Sequence, residues 1–163
     1  LQACLAVGNE SFKNILAINS ISKRSSAPGL RSGFIAGDAK ILKDYARYRT
    51  YIGCAIPLPL QKAAAVAWAE DKSAEFFRQK YANNLKLARE ILDSHINPYT
   101  FYAWLRVNDD IAFTKQLYAN EGILVLPGRY LGRNGQGEGF VRIALVYESA
   151  ITKNALQRIK SWI

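Results

Sequence analysis

The chain has 163 residues, half of them apolar, enough to bury a core over one domain or one and a half. Lys and Arg outnumber Asp and Glu by 22 to 13, a formal charge of +9 that raises the question of nucleic acid. The cations are scattered rather than gathered in a stripe, with no helix-turn-helix, zinc or RNA-binding signature, which argues for small anionic substrates instead. No apolar run approaches a membrane span, and the start lacks a signal peptide's basic flank. Cys4 and Cys54 lie in apolar surroundings without CxxC spacing, so buried thiols of a cytoplasmic protein are expected rather than a metal site or disulfides. The sequence has no methionine and opens on what reads as the last turns of a helix, so a piece of a longer chain is expected.

Leu1, Leu5 and the Gly8-Asn9 stop mark that helix end, and Lys13 to Asn19 reads as a strand around the apolar run Ile15 to Ile18, short enough to be buried. Ser20 and Ser22 flank its end and Lys23 follows. Pro28-Gly29 then turns the chain into a second strand, Gly33 to Ala36. A lysine amine at the end of a buried strand, near Arg24 and Arg31, is partly desolvated, and its pKa is expected to fall toward the range where a neutral amine attacks a carbonyl. The hydroxyls of Ser20 and Ser22 and the guanidinium of Arg31, folded back by the turn, would donate to a phosphate. One lysine for an aldehyde and one cluster for a phosphate together describe pyridoxal phosphate.

Asp38 is a good N-cap for a helix with Ile41, Leu42, Tyr45 and Tyr48 on one face and Lys40, Lys43, Arg47 and Arg49 on a solvated one. Pro57-Leu58-Pro59 reads as an extended joint before a helix from Gln61 to Glu70 that carries Trp68. Ser73 caps a long helix reaching about Ser94, and His95, the only histidine, has a capping or solvated role. An open-faced sandwich follows: strand Thr100 to Val107, helix Asp109 to Asn120 capped by Asp109 and stopped at Gly122, strands Ile123 to Leu126 and Phe140 to Val146, and helix Ser149 to Trp162. Tyr102 and Trp104 read as core or cleft wall, and Glu138 and Glu148 lack a paired carboxylate for general acid work. The glycine-framed loop Gly128 to Gly139 has no Gly-Lys-Ser/Thr and no helix after it, so it reads as a mobile surface hairpin loop rather than a nucleotide loop. Arg142 stands alone in the apolar run Val141 to Leu145, where its charge needs an anion or a place on an outward-facing edge strand. Arg129 and Arg133, just before it, are candidates for a distal carboxylate.

Ser20-x-Ser22-Lys23, followed eight positions after the lysine by Arg31 within Pro28-Gly29-Leu30-Arg31-Ser32-Gly33, resembles the lysine segment of the class I/II aminotransferases of fold-type I. That resemblance implies an α/β fold, with residues 1–72 as the C-terminal part of the large cofactor-binding domain and 73–163 as a bridging helix and the small domain. It implies Lys23 as the catalytic, cofactor-linking lysine, Ser20 and Arg31 as phosphate ligands beside Ser22, and Arg142 as the clamp for the substrate α-carboxylate. Pyridoxal 5'-phosphate, amino acid and 2-oxo acid substrates, and a homodimer come with it. The run Arg49 to Ala55, Pro57 and Gln61, together with Lys23 to Ser25 and Gly29 to Asp38, is similar to the N-succinyl-diaminopimelate aminotransferases of lysine biosynthesis. Aspartate or another dicarboxylate is the rival donor. A β-lyase or decarboxylase on the same fold, a non-enzymatic sensor of pyridoxal phosphate, and a bare phosphate-binding module are the rivals in kind. In the family, the groups that hold the pyridine ring and phenolic oxygen come from earlier in the chain, so this stretch alone is expected to bind the cofactor weakly and turn over little.

Overall fold

The branched apolar run Ile15 to Ile18 feeds strand β1 (Leu16–Ser20), which pairs antiparallel with β2 (Gly33–Gly37) in the computed structural model, where residues 2–53, 55–92 and 96–163 are described. The readings of Leu1, Cys54, Ser94 and His95 lie outside the described residues. The chain falls into two units, Leu1–Glu75 and Phe76–Ile163.

In the first unit, helix α1 (Gln2–Ala6) stops just before Gly8, which turns the chain at φ +72°, and Cys4 is buried. The ribbon differs from expectation. Its register sets Ser20 opposite Gly33 and Leu16 opposite Gly37, but Ile18 is 75% exposed, so β1 is not the buried strand its composition suggests. Strand propensity needs only a partner, whereas burial needs a covering layer, and among the described residues β1 pairs with β2 alone.

Gly37 adopts φ +146°, and a Cβ there would lie 2.0 Å from the Ile15 carbonyl oxygen, so the ribbon's end requires glycine. Asp38 then caps helix α3 (Ala39–Arg49), accepting from Lys40 N at 2.8 Å and Ile41 N at 3.1 Å. Its other oxygen accepts from Asn14 N at 2.7 Å, tying α3 to the approach of β1. The Asn14 amide above all, with those of the cap, holds the Asp38 carboxyl below the usual carboxylate range. Asp38→Ala is therefore expected to lower the thermal midpoint of the complete protein by about 2–4 °C, and Asp38→Asn by less, in circular dichroism melts at pH 7. The advantage of the parent is present above the ordinary carboxylate pKa and is lost as pH falls below it.

Ile41, Tyr45 and Tyr48 do share a face of α3, yet all three are exposed and no residue of α3 is buried. Helix α4 (Leu58–Ala69) starts earlier than expected. Pro59 lies in its first turn, where a missing N–H deprives the helix of nothing, so the prolines open the helix rather than forming a joint before it. Helix α5 (Lys72–Leu92) is started by Glu70, not Ser73: the Glu70 carboxylate accepts from Lys72 N at 2.5 Å and Ser73 N at 2.9 Å.

The second unit is a three-stranded antiparallel sheet in the order β3 (Tyr102–Arg106), β5 (Phe140–Ala144), β4 (Leu126–Pro127). Alternation turns Ala103, Leu105, Val141 and Ile143 into a core shared with Leu85 and Ala88 of α5, Phe113 and Leu117 of α6 (Asp110–Glu121), and Leu156 and Ile159 of α7 (Ser149–Lys160). Asp109 and Gly122 bound α6 as expected. Fully buried Asn84 of α5 donates to Leu145 O and Tyr147 O and accepts from Ser149 Oγ, so this polar side chain is satisfied by the turn into α7. Glu121 gathers the chain's end, accepting from Arg158 Nε at 2.7 Å and Trp162 Nε1 at 3.2 Å.

Candidate active site

Lys23 does not extend the ribbon. Ser20 ends β1, its hydroxyl accepts from Ser22 N at 3.2 Å, and the chain winds into a single helical turn, α2 (Ile21–Arg24), with Ile21 fully buried beneath it. Lys23 stands exposed on that turn, so the described residues do not supply the desolvation expected from a buried strand end. The hydroxyls of Ser20 and Ser22 lie 3.0 Å apart.

The ladder also delivers Arg31. Gly33 is the partner of Ser20, Ser32 O accepts from Ile21 N at 3.1 Å, and Arg31 precedes them by one and two residues. Arg31 is in the left-handed region at φ 48°, uncommon for a residue with a side chain, and its guanidinium donates to Pro28 O at 2.9 Å. Ser20, Ser22, Lys23 and Arg31 thus come from one strand end and the segment paired with it, as their spacing suggests.

Arg24 behaves otherwise than expected. It is not a bare cation beside the lysine. Its guanidinium turns onto the end of α4, donating to Ala67 O at 3.1 Å and Glu70 O at 3.3 Å, pairs with Asp71, and lies 5.5 Å from the Trp68 ring centroid. Acceptors at a helix C-terminus and a carboxylate compensate the charge locally. Trp68 Nε1 in turn donates to Ser32 Oγ at 2.9 Å and its ring packs on Phe34.

In the second unit Arg142 occupies the central strand, between Trp104 of β3 and Leu126 of β4, which removes the edge-strand reading. It points to the face opposite the core. Its guanidinium lies 4.4 Å from the Tyr102 ring centroid, while Trp104 stacks on Phe140 alongside. Among the described residues no carboxylate or carbonyl takes a hydrogen bond from it. Arg142 lines a cavity of about 430 Å³ with Thr114, Lys115, Leu126, Tyr130 and Ala144, otherwise apolar.

Arg129 is not available as a free anion ligand. Its Nε and Nη2 donate to Asp110 Oδ1 at 2.9 and 2.6 Å, and its backbone N donates to Asp110 Oδ2 at 3.1 Å. Asp110 is fully buried, and the Arg129 guanidinium above all holds its carboxyl down to about 2, against burial, which pushes it up. The loop is closed rather than splayed: Gly137, at φ +87°, packs so tightly that a Cβ would lie 2.3 Å from Gly128 O. Arg133 remains exposed. Glu148 pairs with Lys80 at 2.5 Å. Among the described residues no group of three His, Cys, Asp or Glu side chains is placed to hold a metal, and no helix is long and apolar enough to cross a membrane.

Known proteins share this fold. An aminotransferase, AspB, from Helicobacter pylori superimposes on 99% of the chain with a TM-score of 0.93 and 52% identity, using 43% of its own length. An LL-diaminopimelate aminotransferase from Natranaerobius thermophilus is 33% identical over 155 residues, 88% of this chain and 39% of that protein. A probable N-succinyldiaminopimelate aminotransferase from Thermus thermophilus covers 94% of the chain and 43% of its own, with 26% identity and a TM-score of 0.75. The chain therefore spans about two fifths of the length of these relatives. The profile of the aminotransferase class I and II family matches residues 5–159, and with the α/β fold already in place, the chain belongs to that family.

Proposed function

We propose that the complete protein is a pyridoxal-phosphate-dependent aminotransferase that moves an amino group between N-succinyl-diaminopimelate and 2-oxoglutarate. The observation that carries the substrate side is Arg142, a half-buried guanidinium on a central strand, over an aromatic ring and without an acceptor among the described residues. Diaminopimelate appears in the names of two of the relatives above, which supports the donor. In this reading residues 1–72 belong to a large cofactor-binding domain and 73–163 to a bridging helix and small domain, in a cytoplasmic homodimer.

The donor set fits pyridoxal phosphate. Two hydroxyls 3.0 Å apart and an arginine that donates to a backbone carbonyl could serve as phosphate donors, and a primary amine stands on the next turn. When bound, the cofactor supplies an aldehyde for the amine and a ring that draws electron density from the substrate Cα. Ser20, Ser22 and Arg31 would hold its phosphate. Lys23 Nζ would link to the aldehyde and, once released, accept and return the Cα proton. Arg142 would grip the substrate α-carboxylate through two parallel hydrogen bonds, which orients the amino group and keeps it from tumbling.

A donor panel on the complete protein with 2-oxoglutarate tests this, reading glutamate formed. N-succinyl-LL-diaminopimelate is expected to exceed aspartate and unacylated diaminopimelate in kcat/KM by at least about tenfold. A preference for aspartate would instead make the protein a dicarboxylate aminotransferase.

A further inference from the structure

A helix of one turn does not hold itself together, because nucleation fixes several residues for a single hydrogen bond. Yet the turn Ile21–Arg24 carries the lysine on which the proposed function rests. Three attachments hold it. Ile21 is fully buried, and its amide donates to Ser32 O. Ser20 caps the start. Arg24 finishes the turn with a fork of donors to Ser25 Oγ, Ala67 O and Glu70 O, plus the pair with Asp71.

The contacts form a ring. Arg24 lies against Trp68, Trp68 Nε1 donates to Ser32 Oγ, and Ser32 O receives the Ile21 amide of the turn that Arg24 ends. Lys23 and the Arg31–Ser32 segment are thereby pinned to the same end of α4. We infer that Arg24, backed by Trp68, is a positioning residue for Lys23: its grip on the last carbonyls of α4 sets where the lysine amine stands relative to the phosphate donors. A lysine in its place could not reproduce a planar fork serving four acceptors. The inference rests on the reading of Lys23 as the cofactor-linking amine.

The test uses the complete protein with Arg24→Ala, Arg24→Lys and Trp68→Phe. In the cofactor-free protein, hydrogen exchange at the amides of Ile21 and Ser25, bonded to Ser32 O and Ile21 O, is expected to quicken by at least about tenfold in Arg24→Ala. With pyridoxal phosphate added, borohydride trapping at Lys23 slows, and kcat falls about tenfold while the donor KM stays within about twofold. Arg24→Lys recovers part of both. Trp68→Phe keeps the ring and deletes the bond to Ser32, giving a smaller shift of the same kind, and it decides the matter if Arg24→Ala does not fold. Unchanged exchange, or faster exchange with trapping and kcat at the parental level, would overturn the inference. Absence of trapping at Lys23 in the parent would sink the assignment of the lysine instead.

Discussion

Replacing Lys23 by alanine in the complete protein is expected to lower kcat for amino transfer by at least about 10³-fold, because in the proposed function one side chain would serve as both the linking amine and the proton carrier. Lys23→Arg is expected to fail equally. It keeps the positive charge but offers no primary amine to link to an aldehyde, so it separates nucleophilicity from electrostatics. Borohydride reduction followed by peptide mapping checks the chemistry directly: the parent carries the cofactor on Lys23, and neither variant does. A label on another lysine, or activity within about tenfold of the parent, would remove Lys23 from the site.

Asp110→Ala is expected to destabilise the second unit by about 1–2 kcal/mol, below the scale for a fully buried ion pair because the Arg129 side chain stays 38% exposed and water can take up its charge. Asp110 is fully buried and accepts three donors from Arg129, so its loss frees both the guanidinium and the start of the Gly128–Gly139 loop. Urea titrations at several pH values add a signature. The folded carboxyl titrates at about 2 against an ordinary 3.8, so its contribution is fully present above the ordinary value. It is lost as pH falls through about 2, and the gap between parent and variant is expected to close over that window. A gap that stays constant down to pH 2 would mean that the pair contributes through packing alone.

Local signals were the legible ones. Asp38, Asp109 and Gly122 bound their helices in the structure because a cap is satisfied within three or four residues. The pairing of the two strands was legible for a related reason: Ser20 sits opposite Gly33, two residues after Arg31, so the chain returns to the point where the first strand ends. Partnerships across long stretches of chain were not. Arg24 reads as a cation beside a lysine until α4 supplies acceptors 43 and 46 residues away. Arg129 reads as a candidate for a distal carboxylate until the fold sets it on Asp110, 19 residues earlier and fully buried. The exposure of β1 shows the same limit, since an apolar run states a preference for burial without stating what will cover it.

The three tryptophans divide cleanly between the units. Trp68 packs against Phe34 beside Arg24, whereas Trp104 stacks on Phe140 and Trp162 donates to Glu121. Replacing Trp104 and Trp162 by phenylalanine would leave Trp68 as the lone tryptophan of these 163 residues, in contact with Arg24 of the lysine turn. Its emission and quenching could then be followed in real time while ligands are added, giving an optical gauge of the turn that needs no attached dye.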